Sequence, residues 1–336
     1  MRAMSLQSIA LLADNPEPLV LVDLAVPEPA HDEVLVRVSA CGVCHTELDE
    51  IEGRTPPPRL PVVPGHEVVG RVERAGAAVS RLAVGDRVGI GWIHHSSGAE
   101  DENLSEEFRA TGRDVNGGYA EFMTVSERYA HRIPEVFSDV EAAPLLCAGS
   151  VGFRALRLTG MRDGGVLGLT GFGGSGHLVL QLARHLFPAA SVYVFARSPA
   201  ERAFALELGA TWAGDTEDRP PTPVDAVIDT TPAWRPVLAA LDVLRPGGRL
   251  VINAIRKEAG DRALMADIDY ARHLWMEKEI KSVANVTSAD IADFLEVAAE
   301  IPLRTTCEEF RLEDANMAIR KLKAGHIRGA YVLKIS

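Results

Sequence analysis

The string Gly171-Phe172-Gly173-Gly174-Ser175-Gly176 follows the apolar run 165–170 directly and opens a helical pattern over 176–186. A G-x-G-x-x-G string in that setting constrains the fold more than any other feature of the chain. Strand, tight turn and helix together make a dinucleotide-binding crossover unit. Gly171 permits the turn, Gly173 lets a pyrophosphate approach the backbone, and Gly176 brings helix and strand close together. Gly174 and Ser175 complete the turn, and the helix start offers free N–H groups to an anion. Without the flanking strand and helix, the same string is only a glycine-rich turn.

The rhythm around it is strand and helix in alternation: 165–170, 176–186, 191–196 and 199–208, then strands at 224–229, 249–254 and 280–286. Such alternation predicts crossover connections and a doubly wound parallel sheet. Before residue 149 the pattern differs, with short strands at 18–24, 33–40, 67–74, 86–90 and 119–125 broken by Gly and Pro. This half reads as an irregular β-rich domain. Helices at 290–300 and 312–324 and a strand at 329–335 follow the α/β block, and that last strand resembles the first domain in character. The fold class is α/β, a Rossmann-type parallel sheet with a second, β-rich domain.

An acid about 20 residues past the last glycine binds the adenosine ribose 2′-OH in NAD sites. Here that stretch is Phe195-Ala196-Arg197-Ser198, with no acid. Arg197 and the Ser198 hydroxyl suit a 2′-phosphate, so NADP(H) is favoured over NAD(H). The competing assignment has Arg197 covering the adenine and Ser198 capping the next helix.

Charge and hydropathy exclude other classes. The net charge of −12 has the wrong sign for a nucleic-acid partner. No apolar run approaches the ~18 residues of a membrane span, and 8–13 is too short for a secretory signal core. A soluble, cytoplasmic protein with no membrane partner is expected. The acidic run 99–107 reads as a solvated loop.

Four cysteines, Cys41, Cys44, Cys147 and Cys307, are too few and too widely spaced for a disulfide scaffold. Cys41-Gly42-Val43-Cys44-His45-Thr46 follows a predicted strand, Gly65-His66-Glu67 precedes another, and Cys147 stands far from both. Two cysteines and a histidine from three distant segments can form an open, catalytic zinc site with a position left for substrate. Taken singly, each residue is equally consistent with a buried thiol or a hydrogen-bonded imidazole.

Together with Pro64-Gly65-His66-Glu67, Gly85-Asp86-Arg87-Val88, 116–121, the Cys147 segment and the glycine string, these motifs resemble the zinc-dependent alcohol dehydrogenases of the medium-chain dehydrogenase/reductase family over nearly the whole chain. The resemblance implies a GroES-like catalytic domain at 1–148 completed by 289–336, and a Rossmann domain at 149–288. It implies that Cys44, His66 and Cys147 are the ligands of a catalytic zinc, with Glu67 a carboxylate able to approach the metal and Cys41 not a ligand. It further implies that Thr46 accepts the substrate proton, that His45 meets the cofactor pyrophosphate, and that Trp92 walls the substrate pocket. Small alcohols and their carbonyls are the implied substrates, and a dimer or tetramer the implied assembly.

Four departures from the family pattern stand out. Glu47 occupies a position usually held by Asp, and Asp49 a position usually held by a proton-relay His. Segment 92–115 has no cysteine, so only one zinc per chain is expected and a structural zinc is not. Arg328 is the candidate phosphate contact near the final strand. A zinc-free enoyl or quinone reductase of the same fold, and a non-catalytic nucleotide-binding protein, are the alternatives; retention of Cys44, His66 and Cys147 beside Thr46 argues against both.

Overall fold

In the computed structural model, which describes residues 1–301, 303–325 and 329–335, the longest strand is Glu33–Val43. Its apolar residues Val34, Leu35, Val36, Val38, Ala40 and Cys41 are almost wholly buried, because neighbours flank it on both edges. Val68–Ala75 pairs along one edge; Phe122–Ser126 and then Ala330–Lys334 share the other, all antiparallel to it. The sheet runs Cys307–Arg311, Ala330–Lys334, Glu33–Val43, Val68–Ala75, Arg87–Ile90, Ala130–Arg132. It belongs to a unit made of Met1–Ser150 and Val286–Ser336.

The second unit, Val151–Asn285, holds six parallel strands in the order Trp212–Gly214, Ser191–Phe195, Val166–Thr170, Val224–Asp229, Leu244–Ile252, Glu279–Ser282. In order of sequence that is 3-2-1-4-5-6, the doubly wound order, and the switch point lies between Val166–Thr170 and Val224–Asp229. The helix Gly176–Leu186 turns Leu178, Val179, Leu182 and Ala183 inward at helical spacing. Fold class is therefore as the pattern predicts.

Boundaries differ where turn chemistry intervenes. The strand expected at 119–125 starts only at Phe122, because Tyr119 N–H is drawn to Pro64 O at 2.9 Å. The strand expected at 280–286 ends at Ser282, and Asn285 adopts φ +61°. Arg328 lies outside the described residues.

The acidic run 99–107 is not simply a solvated loop. Glu102 is 2% exposed, and its carboxylate accepts from the Tyr129 hydroxyl at 3.0 Å and from Ser288 N–H at 2.8 Å. Ser96 joins this knot, its hydroxyl donating to Glu102 O at 2.6 Å and its N–H to the Tyr129 oxygen at 3.0 Å. The short ladder Ile93–His95 with Arg109–Ala110 continues it. A buried acid with three such partners tethers segment 92–115 to the rest of its unit.

His131, in the edge strand Ala130–Arg132, is buried, and burial, with Arg81 adding, pulls its imidazole down to about 4. The unfolded chain takes up that proton near ~6.5, so between these values it holds more protons than the folded state and acidification removes stability. We expect a loss on the order of 2–3 kcal/mol from this residue on going from pH 7 to 4.5. Urea denaturation should show a shallower acid dependence in His131→Leu; an unchanged slope would refute the assignment.

Candidate active site

Three local devices bring the predicted residues together. The register Cys41 opposite Val68, continued by Gly42 N–H donating to Glu67 O at 2.9 Å, sets the end of Glu33–Val43 beside His66-Glu67. At Gly65 the backbone takes φ +99°, and a Cβ there would come within 2.3 Å of the Tyr119 ring. Only glycine makes this turn into His66. Cys147 follows the 3₁₀ turn Ala143–Leu146, whose start is fixed by Pro144.

After Val43 the chain enters a short helix, His45–Ile51, that the sequence pattern does not announce. Cys44 is its N-cap, and Glu47 three residues on reaches back so that its carboxylate accepts from Cys44 N–H at 2.8 Å. That is capping-box spacing, the signal by which the helix is found. The other oxygen of Glu47 faces His66 Nδ1 at 2.5 Å, and Glu47 has no solvent exposure.

Cys44, His66, Glu67 and Cys147 each offer one ligand atom, and those atoms lie within 4.8 Å of one another. Cys41 is not in the cluster; its thiol is buried in the strand. The two sulfurs are 4.0 Å apart. Two thiolates at ~2.3 Å from one tetrahedral zinc stand about 3.8 Å apart. His66 Nε2 is buried and makes no hydrogen bond, although the opposite ring nitrogen is held by a carboxylate. A ring nitrogen fixed on one side and unpartnered on the other is the arrangement of a metal ligand. The donor set fits zinc.

The charges here are strongly coupled. Cys147 donating to Cys44, with His66 beside it, pulls the Cys44 thiol well below its ordinary value, while that same hydrogen bond and burial push Cys147 well above it. Burial opposes a charge on His66, yet Glu47 and Cys44 outweigh it and hold the imidazole well above its usual range. Burial first, and the Cys44 charge second, push the Glu67 carboxyl up. A divalent cation would relieve the like charges gathered here.

Thr46 is buried, with Oγ1 3.6 Å from Cys44 Sγ. His45 is exposed at the helix start. Asp49 is buried, but its carboxylate is committed to the Arg54 guanidinium at 2.6 Å. The Trp92 ring lies 6.3 Å from the His66 ring, with Phe108 5.7 Å away on Trp92.

In the second unit Gly171 takes φ +78°, and a Cβ there would meet Thr230 Oγ1 at 2.8 Å. A Cβ on Gly176 would meet Gly171 O at 2.8 Å, whereas one on Gly173 would meet nothing within 4 Å. The open side of Gly173 and the start of Gly176–Leu186, which Ser175 does not cap by side chain, are where an anion fits. A cavity of about 280 Å³ continues from Gly171 past Ala196 and Arg197 to Thr231 and Arg235. Arg197 is exposed, and Ser198 caps Pro199–Glu207, its hydroxyl accepting from Glu201 N–H at 3.4 Å. The pattern also missed Asp229, which accepts from Thr170 Oγ1 at 2.6 Å, from Thr231 Oγ1 at 2.7 Å, and from Lys257. This ties together the strand ends at the switch point.

Residues 30–135 match the family model of the alcohol dehydrogenase GroES-like domain, and residues 174–300 that of the zinc-binding dehydrogenases. The chain is 45% identical to a probable alcohol dehydrogenase AdhA of Mycobacterium tuberculosis, over 95% of this chain and 93% of that one. It is 32% identical to an alcohol dehydrogenase of Geobacillus stearothermophilus, over 97% and 99%. Among solved structures, a cinnamyl alcohol dehydrogenase from Sorghum bicolor superposes with a TM-score of 0.82 at 26% identity, covering 99% and 97%. A zinc-binding dehydrogenase from Sinorhizobium meliloti, described as putative and bound to NADP, gives 0.86 at 25% identity, covering 99% and 98%.

A Cβ on Gly42 would fall 1.7 Å from Glu67 Oε2, so this carboxylate occupies space that only glycine leaves. Gly42→Ala should displace Glu67 and cost about 1–3 kcal/mol by overpacking; a thermal unfolding midpoint equal to wild type would contradict this.

Proposed function

With the chain belonging to the zinc-type alcohol dehydrogenases of the medium-chain dehydrogenase/reductase family, and its activity that of an alcohol dehydrogenase or carbonyl reductase, we propose that it works with one zinc per chain and with NADP(H) ahead of NAD(H). The observation that carries the metal assignment is the buried, unpartnered His66 Nε2 beside two sulfurs 4.0 Å apart. The absence of cysteine between residues 92 and 115 supports a single zinc. The missing acid after Ser191–Phe195, with Arg197 at the cavity, supports the phosphorylated cofactor.

Cys44 Sγ, His66 Nε2 and Cys147 Sγ would hold the zinc, and Glu67 is close enough to exchange onto it. When bound, zinc supplies Lewis acidity to an alcohol or carbonyl oxygen, and the nicotinamide takes or gives the hydride. Glu47 keeps the His66 ring oriented and, through Cys44 N–H, fixes the turn that presents Sγ. Thr46 Oγ1 takes the alcohol proton in oxidation and returns it in reduction. Because Asp49 is committed to Arg54, solvent or the cofactor ribose hydroxyls complete the proton path. Gly171, Gly173, Gly174, Ser175 and Gly176 hold the pyrophosphate, and His45 and Arg328 are further candidate phosphate contacts.

Elemental analysis of the purified enzyme should find about one zinc per chain, and chelation should abolish alcohol oxidation until zinc is restored; two zincs, or turnover indifferent to chelation, would defeat the proposal. Glu47→Gln should weaken zinc retention by roughly 10–100-fold. Arg197→Ala should raise KM for NADP far more than for NAD, and equal losses would overturn the cofactor preference.

A further inference from the structure

Four buried polar atoms near the metal cluster have no hydrogen-bond partner and no part in the mechanism above: Tyr119 Oη, whose ring packs at Gly65 beside Cys41, and Glu50 Oε1, Thr55 Oγ1 and Trp92 Nε1. Glu50 is 2% exposed and lies on His45–Ile51, one turn beyond Thr46 and so on the same face. Glu47, His66, Arg113 and Cys44 are the charged groups whose fields reach it. Arg113 also donates to Thr55 O at 3.4 Å, which brings the Thr55 segment to the same place. The Trp92 ring lies 6.3 Å from that of His66. The Trp92 carbonyl accepts from Thr111 N–H at 2.8 Å, two residues before Arg113.

A buried polar atom without a partner costs about 1–3 kcal/mol, and one such group in a folded protein calls for an explanation. Three of them around one reacting centre are explained together if a ligand supplies the missing bonds. We propose that Glu50, Thr55 and Trp92 form a polar subsite that reads a second hydroxyl or comparable polar group on the substrate. The preferred substrates are then alcohols or carbonyls that carry such a group a few bonds from the reacting carbon. The chemistry is complementary: Trp92 Nε1 only donates, a hydroxyl such as Thr55 does both, and Glu50 accepts. Burial pushes the Glu50 carboxyl well above the carboxylate range. Sites built to bond a substrate hydroxyl reject the analogue that lacks it far more strongly than apolar pockets reject one methylene.

This rests on the metal cluster being the reaction centre, and the test separates the two. Initial rates of the zinc-loaded enzyme are measured for 1-propanol against 1,2- and 1,3-propanediol, and for 1-butanol against 1,4-butanediol. Thermal shifts of the enzyme with the same compounds are recorded in parallel. We expect at least one diol to exceed its mono-alcohol by tenfold or more in kcat/KM and to give the larger thermal shift. Thr55→Val and Glu50→Leu should collapse that ratio to within about twofold, while Glu50→Gln, which keeps hydrogen-bonding capacity, retains most of it. Mono-alcohols equal to or better than every diol in rate and shift would overturn the subsite, as would variants that lower both classes alike. Absence of any turnover with the diol shift preserved would fail the dehydrogenase assignment and leave the subsite standing.

Discussion

One carboxylate, that of Glu47, carries two contacts on which the metal cluster depends. One oxygen holds His66 Nδ1 and so decides which ring nitrogen is left for a ligand; the other accepts Cys44 N–H and starts the helix. The two contacts lie on separate segments, and a single buried side chain joins them. Its two oxygens reach both partners at once, one lying 2.5 Å from His66 Nδ1 as an ion pair and the other accepting from Cys44 N–H at 2.8 Å. Removing that charge would free the His66 ring and uncap the helix at once, which couples local stability to ligand geometry.

The second unit rests on a different constraint, backbone shape. At Gly171 and Gly176 a side chain would collide, whereas Gly173 borders open space. Around them the strand ends are joined by Asp229, which is wholly buried and compensated by Lys257 and two threonine hydroxyls. A buried pair with this many hydrogen bonds holds a single geometry, which a preorganised anion site needs.

How much of this is legible in the sequence depends on how local each determinant is. The glycine string and the helix 176–186 are legible because their requirements span a dozen adjacent residues. The zinc-type residues stand out by chemical type, but which of four cysteines converge is visible only through sheet register and family resemblance. The helix His45–Ile51 is too short for apolar periodicity, so its signal is the Cys44–Glu47 spacing alone. Burial of Glu102 is invisible locally, since its partners Tyr129 and Ser288 are 27 and 186 residues away and a run of acids looks solvated. Glu50 is hidden for the same reason: nothing in its neighbours' identity says that it faces inward.

The pairing of Ala330–Lys334 with Glu33–Val43 has a consequence for biosynthesis. At ribosomal speeds of about 5–20 residues per second, the older strand waits roughly 15–60 s for its partner to be made. The entire parallel-sheet unit is synthesised in that interval and has time to fold while half of one strand edge elsewhere in the nascent chain still lacks its neighbour. Such an edge is a template for wrong pairing, so the vulnerable period of this polypeptide falls during translation, before the last strand has left the ribosome.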